Sequence, residues 1–199
     1  MALFIVFDGL DGSGKGEMIK KLEEYLKKKG LNVLVTKEPT DGEYGKQARE
    51  ILKTDKNPKS AAEKCLSLFV KDREEHLSDI WPFLQKKKGA VISDRYYYST
   101  IAFQHTQGIP MEEVIAENME FKAPDIAFIL DLPAETALER IEKRGNPKEK
   151  FEQLSFMKKL RQNFLKLKDE LADNIKVIDA SKDVDNVFAE IKKEIDNLI

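Results

Sequence analysis

Short apolar runs alternate along the chain with longer segments in which apolar and polar residues share the sequence. Five runs are apolar enough to predict strands, at 2–7, 32–36, 90–94, 126–130 and 176–179. In the other segments apolar residues recur every three or four positions, which predicts helices over 14–29, 44–53, 60–88, 96–107, 111–120, 133–144, 157–171 and 184–198. Strands without polar alternation are typical of a parallel sheet that is covered on both faces. The pattern therefore predicts an α/β fold: a doubly wound, parallel five-stranded sheet flanked by helices.

Glycine, serine and proline positions give the bounds of several predicted helices. Gly30 is placed to end the first helix, and Ser60 to cap the long one. Pro82 is expected to kink that helix, and Gly89 to end it. Pro133 suits the first turn of the helix that runs to 144.

Composition limits the broad class of protein. A chain of 199 residues with 41% hydrophobic residues fits one domain over 1–199 with a full core. Its formal charge of −2 favours small-molecule partners over nucleic acid, and no polybasic block indicates a membrane surface. Cys65 stands alone in an apolar run, so we interpret it as a buried structural thiol. The first apolar run is too short for a signal peptide or a membrane span, which makes the cytoplasm the expected location.

The junction of the first strand and the first helix has the pattern of a phosphate-binding loop. Glycines allow successive backbone N–H groups to face one anion, the helix start adds partial positive charge, and Lys15 can reach the terminal phosphates. The expected ligand is a nucleoside triphosphate with Mg²⁺. The candidate residues are Gly9, Leu10, Asp11, Gly12, Ser13, Gly14, Lys15, Gly16 and Glu17. Gly16 departs from the pattern, which has Ser or Thr there, and a glycine-rich turn without a ligand is the alternative interpretation.

Asp94 and Arg95 follow the third predicted strand. A carboxylate at the end of a strand beside the first one lies in the crevice where ligands of α/β sheets bind. There it can hold a metal, while the guanidinium neutralises phosphate charge. Glu17 and Asp94 are the candidates that could replace the missing hydroxyl at Gly16. We assign Asp94 to Mg²⁺ through an additional water, with the phosphates of ATP as the main ligands, and Glu17 is the alternative ligand. A structural ion pair at a strand end is the alternative.

Three further segments, in order after the phosphate loop, resemble those of thymidylate kinases, which are nucleoside monophosphate kinases of the P-loop class. They are Lys37-Glu38-Pro39, Leu68-Phe69-Val70-Lys71-Asp72-Arg73-Glu74-Glu75-His76 and Asp94-Arg95-Tyr96-Tyr97-Tyr98-Ser99-Thr100-Ile101-Ala102-Phe103-Gln104. The similarity runs from Phe4 to Ser181. It implies a P-loop kinase fold, transfer of the γ-phosphoryl group of ATP to dTMP with Mg²⁺ to give dTDP and ADP, and a homodimer.

The resemblance also implies roles for single residues. Phe69 would stack on the base, which Arg73, Thr100 and Gln104 would also face. Phe103 would lie beside the 2′ position of the sugar, and Arg49 would hold the monophosphate of the acceptor. The whole set implied for the acceptor is Asp11, Glu38, Pro39, Arg49, Phe69, Arg73, Arg95, Thr100, Phe103 and Gln104. Taken alone, Arg49 would be interpreted as a solvated helix charge and Phe69 as core.

A lid segment near 140–152 is implied in the same way. Some thymidylate kinases carry a catalytic arginine in the phosphate loop and others in the lid, and here the loop has Gly12. The cation is therefore expected from Arg140, Arg144, Lys148 or Lys150. We assign Arg140 to ATP and Arg144, with Lys15, Asp94 and Arg95, to catalysis.

His76 and His105 have no metal-ligand spacing, and we expect His76 to form a hydrogen bond on the helix surface. Two other functions stay open from the sequence. One is a kinase for another nucleotide, and the other is a P-loop protein that binds nucleotide without turnover, an alternative suggested by Gly16.

Overall fold

A computed structural model describes residues 2–143 and 153–199. Its sheet has five strands, all parallel, in the order β2-β3-β1-β4-β5. The strands are β1 Leu3–Gly9, β2 Asn32–Lys37, β3 Gly89–Asp94, β4 Ile126–Asp131 and β5 Ile175–Asp179. The predicted α/β class and strand number are confirmed.

Two groups of helices cover the sheet. The helices are α1 Lys15–Lys28, α2 Glu43–Thr54, α3 Pro58–Leu84, α4 Tyr97–Thr106, α5 Met111–Ala116, α6 Ala134–Lys143, α7 Leu154–Glu170 and α8 Val184–Asp196. Helix α1 packs with α8, whereas α4 packs with α3 and α7. Crossovers between parallel strands are almost always right-handed, and with this strand order that rule puts the two groups on opposite faces of the sheet.

Strand β1 is the centre of the core because it pairs with β3 on one side and β4 on the other. Phe4, Ile5, Val6 and Phe7 are fully buried, which explains the continuous apolar run in the sequence. Phe7 lies in register with Asp94 of β3. The loops that follow β1 and β3 therefore leave the sheet side by side at its carboxyl edge.

Several predicted bounds of α3 and α5 are wrong. Helix α3 begins at Pro58, and the side chain of Asn57, not of Ser60, caps it by accepting from the backbone N–H groups of Lys59 and Ser60. An Asn-Pro pair provides both a capping acceptor and a first residue that needs no N–H partner, so the helix starts earlier. Gly89 begins β3 rather than ending α3. Helix α5 ends at Ala116, short of 120.

The single cysteine of the chain lies in the interior of the fold. Cys65 is buried, as predicted, and lies 3.6 Å from the carbonyl oxygen of Ala48. No helix in the described part of the chain is long and apolar enough to cross a membrane.

Candidate active site

The phosphate loop joins β1 to α1 as predicted. Gly9, Gly12 and Gly14 have φ values of 127°, 83° and 95°, all in the region that favours glycine. At Gly12 a side chain is also excluded by packing, because a Cβ there would lie 2.6 Å from the carbonyl oxygen of Ala137 in α6. The backbone conformation of the loop therefore requires glycine at these positions, and at Gly12 the close contact with α6 requires it as well.

Lys15 lies inside the loop, with its ammonium buried. Its Nζ donates to the carbonyl oxygens of Gly9, at 3.1 Å, and of Leu10, at 3.0 Å. Burial, assisted by the nearby charge of Arg95, lowers the pKa of Lys15 to about 8, although nearby carboxylates oppose this shift. Lys15 is therefore a cation that loses its proton within an accessible pH range.

We predict that the free enzyme loses affinity for ATP as pH rises through about 8, by up to about tenfold per pH unit, because the neutral amine no longer attracts phosphate. Folding stability should change in the opposite direction. Between the folded pKa of Lys15 and its ordinary value near 10.5 the unfolded chain binds more protons, so this group stabilises the fold as pH rises. Calorimetric titration of ATP from pH 7 to 9.5 measures the effect, with Lys15→Arg as the control that stays charged. A flat profile in the parent protein would contradict the assignment.

Asp94 and Arg95 lie beside the loop at the end of β3. Oδ1 of Asp94 and Oγ of Ser13 are both buried and accept or donate no hydrogen bond within the described residues. Buried polar atoms are rarely left without a partner, so the two orphaned oxygen atoms indicate a ligand that satisfies them. Among the described residues, no three His, Cys, Asp or Glu side chains form a metal cluster. Asp94 Oδ1 is a hard oxygen ligand, and it fits a Mg²⁺ ion that takes its other ligands from water and phosphate.

Arg95 has φ of 72°, a conformation that non-glycine residues rarely adopt and that is concentrated at functional sites. Its Nη2 donates to Asp11 at 2.6 Å and its Nη1 to Ser99 Oγ at 2.7 Å. Burial lowers the pKa of Arg95, but the carboxylates of Asp11, Asp8 and Asp94 raise it by more. The guanidinium is thus held charged and in one orientation beside the phosphate loop.

Asp8 is a site residue that the sequence analysis missed. It is fully buried, and its carboxylate accepts from the N–H groups of Gly9 and Ser99 at 2.9 Å and from Ser99 Oγ at 2.6 Å. Burial raises the pKa of Asp8, and the charge of Arg95, 3.6 Å away, opposes that shift. The signal in the sequence was a carboxylate inside the central apolar strand, since a buried charge needs partners.

A second polar cluster lies between α3 and α4, where the resemblance places the acceptor. Arg73 is 1% exposed, and its Nε and Nη2 donate to Glu38 Oε2 at 3.0 and 2.7 Å. Nη2 also donates to Thr100 Oγ1 at 3.1 Å, and Nη1 donates to Asn118. The rings of Tyr96, Tyr97 and Phe121 surround its guanidinium at 5.0 to 5.9 Å. The structure therefore joins Glu38, Arg73 and Thr100 in one group. Asn118 also belongs to this group, and the sequence analysis did not predict it.

The remaining acceptor residues surround this cluster. The ring of Phe103 lies 5.6 Å from the Arg95 guanidinium, and Phe69 is half-buried on α3. Gln104 is 1% exposed and its amide donates to the carbonyl oxygen of Ala62, so a contact between Gln104 and a base stays a prediction.

Arg49 holds the loop after β2. Its Nη1 donates to the carbonyl oxygen of Pro39 at 3.0 Å and its Nη2 to that of Thr40 at 2.7 Å. The Glu38–Pro39 peptide bond is cis. Arg49 is therefore a partly buried residue with fixed partners, in contrast to the solvated charge that its sequence context suggested, while its contact with an acceptor phosphate stays a prediction.

The surface position predicted for His76 is wrong. His76 is 3% exposed, and it lies between Glu38 and Thr36. Its place on a long, charged helix suggested solvent, but the loop after β2 folds over that face of α3 and covers the ring.

Comparison with known proteins decides which P-loop family has these features. The family model described as Thymidylate kinase matches residues 7–191. This chain belongs to the thymidylate kinase family.

Curated thymidylate kinase relatives match the chain over nearly its whole length. A protein of Methanococcus maripaludis named "Probable thymidylate kinase" is 42% identical over 98% of this chain and 96% of its own. A "Probable thymidylate kinase" of Thermococcus kodakarensis is 38% identical over 99% of this chain and 98% of its own. A "Thymidylate kinase" of Desulfotalea psychrophila is 38% identical over 98% and 95%.

A cavity of about 270 Å³ lies beside the phosphate loop. Gly12, Ser13 and Gly14 line it on one side, and Arg140 and Lys182 on the other. Arg140 Nη2 donates to the carbonyl oxygen of Ala180 at 3.3 Å. Arg140 and the phosphate loop thus line the same cavity. The assignment of Arg140 to ATP stays a prediction. Arg144, Lys148, Lys150 and most of the predicted lid lie outside the described residues.

Proposed function

We propose that this protein transfers the γ-phosphoryl group of ATP to dTMP and produces dTDP and ADP. The observation that carries the proposal is the convergence of Lys15, Asp94 and Arg95 at the carboxyl edges of β1 and β3. Arg95 contacts Asp11 of the phosphate loop on one side and the ring of Phe103 on the other. Such a position allows cations to neutralise both substrates where a phosphoryl group passes between them. The family match favours this reaction over nucleotide binding without turnover.

In the proposed reaction an oxygen of the dTMP phosphate attacks the γ-phosphorus, and the bond to the β–γ bridging oxygen breaks as ADP leaves. The loop N–H groups and Lys15 hold the ATP phosphates, and Arg95 binds the acceptor phosphate and the transferring group. Arg49 orients the loop that carries Pro39 toward the acceptor. Arg73 and Thr100 read the base, and Phe103 lies beside the sugar. Arg140, together with Arg144 of the lid, completes the set of cations around ATP.

Mg²⁺ supplies charge neutralisation for the ATP phosphates when bound. We propose that Asp94 holds it, through Oδ1 or a water, because that oxygen is buried and has no partner among the residues that the structure describes. Gly16 is exposed, and a Cβ at this position would meet no atom of the other described residues within 4 Å, so there is open space for a serine side chain.

Gly16→Ser should lower the Mg²⁺ concentration for half-maximal activity severalfold, because the new hydroxyl adds an oxygen ligand where P-loop enzymes have one. Gly16→Ala is the matched control. It adds the same Cβ and removes the same helix penalty of about 1 kcal/mol, but has no oxygen. Magnesium titrations of activity for the parent and both variants measure the difference. An equal response from the serine and alanine variants would argue against a metal site at this position.

The test of the function is ADP release from Mg-ATP, measured with a panel of nucleoside monophosphates. We expect turnover that depends on the acceptor and is fastest with dTMP. Faster turnover with another nucleotide would assign a different acceptor. Slow hydrolysis that no acceptor stimulates would overturn the kinase proposal.

The proposal extends to the assembly and the organisation of the chain. From the family resemblance we propose a homodimer and a lid near 140–152, and from the length and composition a single domain over 1–199. The cytoplasmic location stays a prediction of the sequence analysis. Light scattering coupled to size-exclusion chromatography tests the dimer, since a monomer at micromolar concentration would contradict it.

A further inference from the structure

His76 is a buried titratable side chain that the proposed mechanism does not use. It lies on α3, one turn after Asp72 and Arg73, and all three side chains face the loop that follows β2. Asp72 accepts from the N–H group of Thr40 at 2.8 Å and from its hydroxyl at 2.5 Å. Arg73 and His76 both bind Glu38. One face of α3 thus fixes the path of the loop that borders the acceptor site.

The ring of His76 lies between Thr36, which is in β2, and Glu38, which is in the loop that follows β2. Nδ1 lies 2.8 Å from Glu38 Oε1, and Nε2 lies 2.7 Å from Thr36 Oγ1. An ionised carboxylate only accepts hydrogen bonds, so Nδ1 carries a proton and donates it to Glu38. The Thr36 hydroxyl either donates or accepts, so it satisfies Nε2 with or without a second proton.

Glu38 uses its two oxygen atoms for different partners. Oε1 accepts from His76, while Oε2 accepts from both Nε and Nη2 of Arg73. Because Glu38 is 6% exposed, water gives its carboxylate few other donors. The rotation of the Glu38 carboxylate therefore depends on the hydrogen bond from His76. Through Glu38, His76 helps to set the plane of the Arg73 guanidinium, together with Thr100 and Asn118, which accept from the same group. We call this linked set, Thr36, His76, Glu38 and Arg73, the buried polar chain.

We propose that His76 is a positioning residue for the acceptor base: its ring fixes Glu38, and Glu38 fixes the guanidinium of Arg73. The proposal rests on the proposed function, in which Arg73 reads the base of dTMP. A group that must hydrogen-bond a base discriminates well only when it is held in place beforehand. His76 supplies this order without touching the substrate.

The test uses two substitutions that differ in one hydrogen bond. His76→Leu removes both polar contacts of the ring, whereas the amide of His76→Asn can donate to Glu38 from about the position of Nδ1. Calorimetric titration without ATP should give dTMP binding about tenfold weaker for the leucine variant, which corresponds to one lost hydrogen bond to a charged group. The asparagine variant should stay within about threefold of the parent protein. ATP binding should be unchanged in both.

A ligand without a base separates positioning from general damage to the fold. Inhibition by 2-deoxyribose 5-phosphate, which shares the sugar and phosphate of dTMP, should be the same in the parent and in His76→Leu. In an Arg73→Lys background, His76→Leu should have little additional effect on dTMP, because the group that it positions is already altered. His105→Leu is the matched control. Within the described part of the chain, the hydrogen bond of the His105 ring is to the carbonyl oxygen of Ile109, four residues away, and its loss should change the binding of neither dTMP nor ATP.

Several outcomes would overturn the proposal. Unchanged dTMP affinity in His76→Leu, equal weakening of dTMP and ATP, or full additivity with Arg73→Lys would each do so while dTMP phosphorylation by the parent protein still stands. If the parent protein neither binds nor phosphorylates dTMP, the proposed function and the role of His76 both fail. Should His76→Leu not fold, His76→Gln takes its place, since its longer side chain reaches toward Thr36 and does not reproduce the donor at Nδ1.

Discussion

Arg95→Gly is expected to lower kcat/KM for dTMP by about a thousandfold, the scale of loss when one preorganised cation is removed from a phosphoryl-transfer site. The guanidinium is held by Asp11 and Ser99 on one side of the phosphate loop. Its charge also lies 5.6 Å from the ring of Phe103, the side chain that we propose to lie beside the sugar of dTMP, so it can act on the acceptor side of the site. Glycine is the appropriate replacement, since φ at this residue is 72° and any other small residue would add strain to the loss of charge.

Arg95→Lys is the control for charge alone. Lysine keeps the positive charge but cannot bond Asp11 and Ser99 at once, so it should recover only part of the lost activity. ATP affinity, measured by titration, should change much less than kcat/KM for dTMP in both variants. A loss below about tenfold in Arg95→Gly would mean that another residue carries the transferring charge.

The sheet could be predicted from the sequence because burial on both faces removes polar alternation from its strands. Strand β1 shows this most clearly, since Phe4 to Phe7 are fully buried. Helix bounds were less certain where two local signals compete. Asn57 with Pro58 forms a stronger start than Ser60, and both stand within one turn.

Site residues that belong to short motifs could be predicted from the sequence, whereas site residues whose partners are far away in the sequence could not. The phosphate loop and the Asp94–Arg95 pair are short motifs whose spacing dictates their geometry. Asp8 and His76 have no such motif. Asp8 meets Ser99, which is 91 residues away, and His76 meets Glu38, which is 38 residues away. Only the packing of β1, α3 and α4 brings these partners together, so a buried charge in a strand or a histidine on a helix is ambiguous before the fold is known.

Gly12→Ala is expected to destabilise the protein by about 2–5 kcal/mol and to abolish measurable ATP binding. A φ of 83° costs a residue with a Cβ about 1–2 kcal/mol. The Cβ would also lie 2.6 Å from the carbonyl oxygen of Ala137, a backbone atom of α6 that cannot move alone, and overpacking of this kind adds about 1–3 kcal/mol. Relief of the clash requires the loop to move away from α6, which displaces the N–H groups that face phosphate. Chemical denaturation and ATP titration measure the two effects.

Gly14→Ala is the matched control for the clash. Gly14 also has positive φ, 95°, but a Cβ there would have no atom within 4 Å, so this variant carries the strain alone. The free energy of unfolding should therefore fall by about 1–3 kcal/mol more in Gly12→Ala than in Gly14→Ala. Equal losses would show that contact with α6 is unimportant.

The close contact between Gly12 and α6 also limits which residue can supply the catalytic cation. Gly12→Arg introduces the loop arginine of other thymidylate kinases, yet its Cβ meets the same Ala137 oxygen, so we expect loss of stability and no gain in turnover. In this chain α6 occupies the space that the Cβ of a residue at position 12 would need. Helix α6 also carries Arg140, which lines the cavity beside the loop. A Gly12→Arg variant with raised kcat and unchanged stability would overturn this account and return the role to the loop.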